Sequence, residues 1–299
     1  MTAHAAIAAQ DRWTAAGAGL RVRCYDPPAP QATAVVLHGL VAGIDPLMAA
    51  RPGVDPFERL AAEGLAVAAL DWPGHGRSGG RRGVLSYRAA MAAVGAAVDL
   101  AVNRWPTPVG LVGTGLGGTL ALYGGIEDRR VGAVVAQGPV DLRDVVTVPT
   151  RAGLRSLPTV AARLRRRLPP GVARRTPVSA RLLVGRFDLA GDPATAEALW
   201  RHPQAVRRYP LEPLASLLLE PADKPDVAAA RAPTLLAAGD ADPLQQPGGL
   251  QRVAARLACP KRTWVLPGAG PQLLVDHPEA TAPTFGAFLR EHLTDAATG

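Results

Sequence analysis

Val109-Gly110-Leu111-Val112-Gly113-Thr114-Gly115-Leu116-Gly117-Gly118 is the stretch on which the fold turns. Residues 109–113 form a short run with no polar side chain, as expected of a strand buried on both faces. Glycines at 113, 115, 117 and 118 bring that strand into a tight turn. A helical pattern then covers 116–125. Working outward, the same grammar recurs. Residues 33–37, 64–70, 131–137, 233–238 and 263–267 read as strands, with helical patterns near 55–63, 86–104, 248–257 and 278–293. Unbroken apolar strands alternating with helices predict an α/β fold, with a mostly parallel central sheet and helices on both faces. Segments 12–16 and 20–25 read as antiparallel strands at its edge.

The alternation breaks between 141 and 229. Helical patterns near 150–168, 193–201 and 206–219 are punctuated there by Pro169-Pro170-Gly171 and Pro221. The expected organisation is a core of residues 1–140 and 230–299, with a helical cap at 141–229. Ligands of open parallel sheets bind beyond the carboxyl ends of the strands, so such a cap would roof the site.

Composition narrows the class. In 299 residues, 48% are hydrophobic and 19% charged, which excludes a disordered chain. No apolar run reaches the ~20 residues needed to span a bilayer, and residues 1–10 lack a basic, secretory-type start. A cytoplasmic protein is expected. Cys24 and Cys259 are the only cysteines and read as buried free thiols. The formal net charge is +8, yet only Lys224 and Lys261 are lysines. Residues 151–181 hold nine arginines and no acid, and the rest of the chain sums to −1. The basicity therefore belongs to the cap. That argues against a general nucleic-acid surface and leaves a solvated arginine face, or a contact with an anionic substrate, a carrier, a partner protein or an acidic membrane.

Four segments fall in a set order along the chain. They are His38-Gly39-Leu40, then Asp71-Trp72-Pro73-Gly74-His75-Gly76-Arg77-Ser78, then Gly113 to Gly118, then Gly239-Asp240-Ala241-Asp242-Pro243. With Gly79-Gly80-Arg81-Arg82-Gly83, this resembles the α/β-hydrolase superfamily and its monoacylglycerol lipase and lysophospholipase branch. The resemblance implies a Gly-x-Ser-x-Gly elbow, in which a serine sits on a strained strand-to-helix turn. Gly115 stands at the serine position. It further implies a histidine base after the last strand, where Gly268-Ala269-Gly270-Pro271 places Pro271. Neither residue can attack a carbonyl or relay a proton. Asp242 matches the acid. Backbone amides of Leu40 (or Val41) and Leu116 match the oxyanion donors, which do not depend on side-chain identity.

The expected function is therefore non-hydrolytic. An apolar, acyl- or polyketide-like molecule would bind under the cap, and the oxyanion donors would favour cyclisation, isomerisation or lyase chemistry in specialised metabolism. No cofactor is implied, and the histidines and carboxylates show no metal-ligand spacing. His38 is either a rescued base or a structural histidine of the oxyanion loop, and His75 the latter. Asp242 is either a general base or a turn remnant. Thr114, Val41, Trp200 and His202 are candidate substrate contacts, and His277 reads as a capping or exposed residue. Two other readings stand beside this one. The first is a pseudoenzyme that binds or scaffolds. The second is an esterase with a relocated triad, drawing on Ser78 or a cap serine with His38 or His202.

Overall fold

The apolar runs and their glycine punctuation assemble into one sheet. The structure, a computed structural model, describes residues 7–14, 19–144, 167–185, 188–244 and 248–294. Its strands are β1 (Ala9–Trp13), β2 (Arg21–Tyr25), β3 (Ala32–Leu37), β4 (Leu65–Leu70), β5 (Val109–Thr114), β6 (Val131–Gln137), β7 (Pro177–Ser179), β8 (Arg208–Pro210), β9 (Thr234–Gly239) and β10 (Lys261–Leu266). Eight of them form a sheet in the order β1-β2-β4-β3-β5-β6-β9-β10. The β1/β2 and β2/β4 pairs are antiparallel and the remaining pairs are parallel. All residues of β3, β4, β5 and β9 are buried, which is why they carry no polar/apolar alternation. Each large side chain buried in this way contributes roughly 1.5–3 kcal/mol. Both predicted edge strands form, with β1 beginning earlier than expected, at Ala9.

The helices are α1 (Ile44–Ala50), α2 (Pro56–Ala61), α3 (Tyr87–Arg104), α4 (Leu116–Glu127), α5 (Pro170–Ala173), α6 (Pro193–Arg201), α7 (Leu211–Leu218), α8 (Gly249–Arg256), α9 (Leu273–Asp276) and α10 (Pro278–Thr294). Several start where capping chemistry directs. The Asp55 carboxylate accepts from Phe57 and Glu58 N–H ahead of Pro56, and Ser86 caps α3 through Ala89 N–H. Asp192 caps α6 through Thr195 N–H, ahead of Pro193.

The segment between β6 and β9 is less purely helical than expected. The predicted helix over 206–219 begins only at Leu211. Residues 208–210 instead pair with 177–179 as a two-stranded antiparallel ribbon. Pro210 holds an extended backbone at the N-cap, with φ −62° and ψ 139°, and so separates strand from helix. The helix expected near 150–168 lies, but for its last two residues, outside the described residues. So do Arg151, Arg155, Arg163, Arg165 and Arg166. Among the described arginines of that stretch, Arg174 pairs with Glu212 at 2.7 Å and Arg181 stacks over the Trp200 ring.

A buried charge cluster ties the sheet to the loops above it. The fully buried Arg21 reaches Asp45 at 2.7 Å, Asp11 at 3.0 Å and Asp71 at 3.3 Å. Asp71 also accepts from Ile44 N–H and Arg77 N–H. Burial pushes its carboxyl above the usual range. Both cysteines are buried and free, and burial pushes the Cys24 thiol up to about 11. No described helix is long and apolar enough to cross a membrane.

Candidate active site

The turn between β5 and α4 is built by steric necessity. A Cβ on Gly113 would lie 2.0 Å from Gly117 O, one on Gly117 would lie 2.0 Å from Leu37 O, and one on Gly118 would lie 2.2 Å from Gln137 O. Only glycine lets the first turn of α4 sit this close to β3, β5 and β6. Gly115 differs. It adopts φ 57° and ψ −119°, a region that costs a side-chain-bearing residue of order 1–3 kcal/mol. A Cβ built there meets no atom within 4 Å.

The open space belongs to an apolar cavity of about 100 Å³ at the carboxyl ends of the strands. Gly115, Leu116, Leu40 and Val41 line it from the core, and Leu183, Val184, Leu189 and Leu218 line it from the segment between β6 and β9. Its polar lining comes from Thr119, Asp242 and Gln272, and Pro271 closes one side. Among the described lining residues there is no Ser, Cys or His. The N–H groups of Leu40 and Leu116 donate to no other group of the described protein. Two backbone donors thus stand at the cavity without an acceptor among the described residues.

His38 explains how one of them is aimed. Its Nε2 accepts from Trp72 N–H at 3.3 Å, which places the proton on Nδ1, and Nδ1 donates to Gly39 O at 2.7 Å. In a trans peptide the N–H lies opposite the C=O, so anchoring Gly39 O orients the Leu40 N–H. Burial lowers the His38 imidazole to about 4, so the ring stays neutral. It borders a small cavity behind the elbow rather than the main one. His75 is likewise buried, and its titration falls to about 3.

The remaining candidates separate clearly. Asp242 lies half-buried at the cavity, and its Oδ1 accepts from Leu244 N–H at 2.8 Å. Its neighbour Asp240 accepts from Gly268 N–H at 2.6 Å, joining the loops after β9 and β10. Thr114 is buried with an unpartnered Oγ1 and faces the small cavity. Trp200 and His202 do not line the main cavity. Trp200 is buried beneath Arg181, and His202 Nδ1 accepts from Gln204 N–H at 3.2 Å. His277 follows α9 and stays outside the cavity. The Ser78 hydroxyl donates to Asp71 O at 2.6 Å and accepts from Arg21 N–H, so it serves the charge cluster. Among the described residues no Ser–His hydrogen bond occurs, and no cluster of His, Cys, Asp or Glu could hold a metal ion.

Two glutamines escaped the sequence reading. Gln137, at the end of β6, donates through Nε2 to Pro271 O and fixes the loop on which Pro271 sits. Gln272 is 7% exposed, lines both cavities, and leaves its Oε1 without a partner. The available signal was position alone, since each glutamine lies in or beside a segment that leads into the site.

Comparison with known proteins bears on the fold that carries this site. The structure is similar to a monoacylglycerol lipase of Paleococcus ferrophilus, with 23% identity, 91% of this chain and 99% of that chain covered, and a TM-score of 0.70. It is similar to a soluble variant of monoglyceride lipase from Saccharomyces cerevisiae, with 14% identity, 98% of each chain covered, and a TM-score of 0.75. It is also similar to a thermostable carboxyl esterase from Bacillus coagulans, with 16% identity, 97% and 99% covered, and a TM-score of 0.74. These likenesses establish the α/β-hydrolase fold. No curated protein matches the sequence. The family model of serine aminopeptidase S33 matches residues 28–277, and the chain belongs to that family of α/β-hydrolases.

Proposed function

We propose that this is a non-hydrolytic family member in which Gly115 and Pro271 occupy the positions of the serine nucleophile and the histidine base. The observation that carries this reading is the elbow at Gly115. The strained backbone and the space for a side chain are kept, and the side chain is absent. In this reading residues 141–229 act as a cap, and a neutral, acyl- or polyketide-like carbonyl compound lies between them and the sheet. The apolar lining and the two unpaired amides support such a ligand. Removing a comparable donor from a working oxyanion hole costs about 3 kcal/mol, so the pair is a substantial asset for enolate chemistry.

The step proceeds as follows. The ligand carbonyl oxygen accepts from Leu40 and Leu116 N–H. The Asp242 carboxylate takes a proton from the adjacent carbon, and the C–H electron pair becomes the enolate C=C while the carbonyl electrons move onto oxygen. Return of the proton to the opposite face or to a conjugated carbon gives isomerisation, whereas attack of the enolate carbon on a second carbonyl of the same ligand moves that C=O pair onto oxygen, which takes the proton from Asp242 and completes cyclisation. The reverse of the latter gives carbon–carbon cleavage. The setting would be a pathway of specialised metabolism.

A hydrolase reading draws support from the family itself, but it requires a serine with a base beside it. Heptan-2-one in heavy water separates the two. Saturable binding with accelerated deuterium uptake at the carbons flanking the carbonyl, lost in Asp242→Asn, is expected. Neither binding nor exchange above the buffer rate would overturn the proposal.

A further inference from the structure

The loop after β3 is held from two sides. Gly39 O is fixed by His38 from within the core. The next two carbonyls are fixed from the segment between β6 and β9. Leu40 O accepts from the Tyr209 hydroxyl and lies 3.1 Å from His75 Nε2, and Val41 O accepts from Val206 N–H at 3.1 Å. Tyr209 belongs to β8, is 1% exposed, and its hydroxyl oxygen is 3.2 Å from His75 Nε2. The ribbon reaches this depth because of a glycine in the facing loop. A Cβ on Gly83, whose φ is +72°, would lie 2.5 Å from Arg208 O. Further along the same segment, Gln204 donates to Asp45 Oδ2 at 3.1 Å and accepts from Arg82. Three successive peptides of the oxyanion loop therefore have anchored carbonyls, and two of the anchors, Tyr209 and Val206, come from the segment between β6 and β9.

We propose that Tyr209 is a positioning residue for the oxyanion loop, so that polarisation of a bound carbonyl depends on the seating of the β7–β8 ribbon. Because peptide units are planar, anchoring Leu40 O sets the plane of the peptide that it shares with Val41 and limits rotation of the Leu40 N–H before it. Loss of the phenol hydrogen bond leaves the loop in place by packing but loosens the aim of its amides. This inference rests on the oxyanion role of Leu40 and supplies its regulation. A movement of the ribbon that breaks the Tyr209 contact would weaken the donors without touching them.

Heptan-2-one carrying carbon-13 at its carbonyl tests this by infrared spectroscopy of the bound state. In the native protein its carbonyl stretch should lie well below its position in hexane. In Tyr209→Phe the stretch should move back toward the hexane value, with affinity falling roughly two- to tenfold, the loss typical of one hydrogen bond. Tyr87→Phe is the control. Tyr87 is also buried and donates to Glu127 at 2.5 Å, but it lies away from the main cavity. It should lower thermal stability as Tyr209→Phe does and leave the stretch unchanged. An unshifted stretch in Tyr209→Phe, or an equal shift in both variants, would overturn the positioning role while leaving the proposed function intact. Failure of the native protein to bind the ketone would overturn both.

Discussion

The elbow sets two kinds of glycine side by side. Gly117 is glycine because a Cβ would strike the Leu37 carbonyl at 2.0 Å, whereas Gly115 is confined by its backbone dihedrals alone. The two should therefore respond differently to alanine. Gly115→Ala should cost roughly 1–3 kcal/mol, the strain of its conformation. Gly117→Ala must displace backbone and should cost more, at about 4 kcal/mol or above. Urea unfolding of both variants measures the difference, and equal losses would contradict it. Much at this scale was legible in the sequence. The glycine spacing and the position of Asp242 could be read directly. His38 was legible as a histidine supporting its loop, but its bond to Trp72, and the role of Ser78, were not, because they depend on partners 34 and 57 residues away in the chain. Gln137 and Gln272 were illegible for the same reason.

At the scale of elements, the loops after β3 and β4 act as one unit because their histidines pack together, with ring centroids of His38 and His75 5.8 Å apart. Both rings are held neutral by burial, near 4 and 3, whereas an unfolded histidine binds its proton near 6.5. The unfolded chain therefore takes up protons that the folded chain refuses. Their contribution to stability is complete above pH 6.5, falls away as pH drops below 6.5, and is fully lost once pH reaches the folded values. For the two rings together, unfolding free energy should drop by roughly 3–4 kcal/mol between pH 7 and pH 5 in urea titrations. A flat profile there would contradict neutral rings. The parallel strands were read from the sequence to within about two residues, the central ones because burial on both faces removes polar interruptions, whereas the exposed edge strand β1 lies three residues earlier than read. The ribbon at 177–179 and 208–210 was missed because three-residue strands carry no periodicity, and their pairing spans about thirty residues of chain.

The whole molecule combines a well-specified scaffold with a centre that we propose to be altered. Four motifs in fixed order give the α/β-hydrolase fold, and the match over residues 28–277 gives the family. The scaffold is set by close backbone approach and apolar burial, which leave plain marks in a sequence. The cavity is set in part by leucines and a valine of the segment between β6 and β9, and nothing in their spacing announces a site. The family's ordinary chemistry is ester or amide cleavage through a serine, so the central claim is most exposed there. The direct measurement is hydrolysis of p-nitrophenyl butyrate by the native protein, with and without a fluorophosphonate, followed by intact-mass analysis. The account predicts no turnover above the buffer rate and no covalent adduct. Robust turnover that the reagent abolishes, with its mass added to one serine, would contradict it.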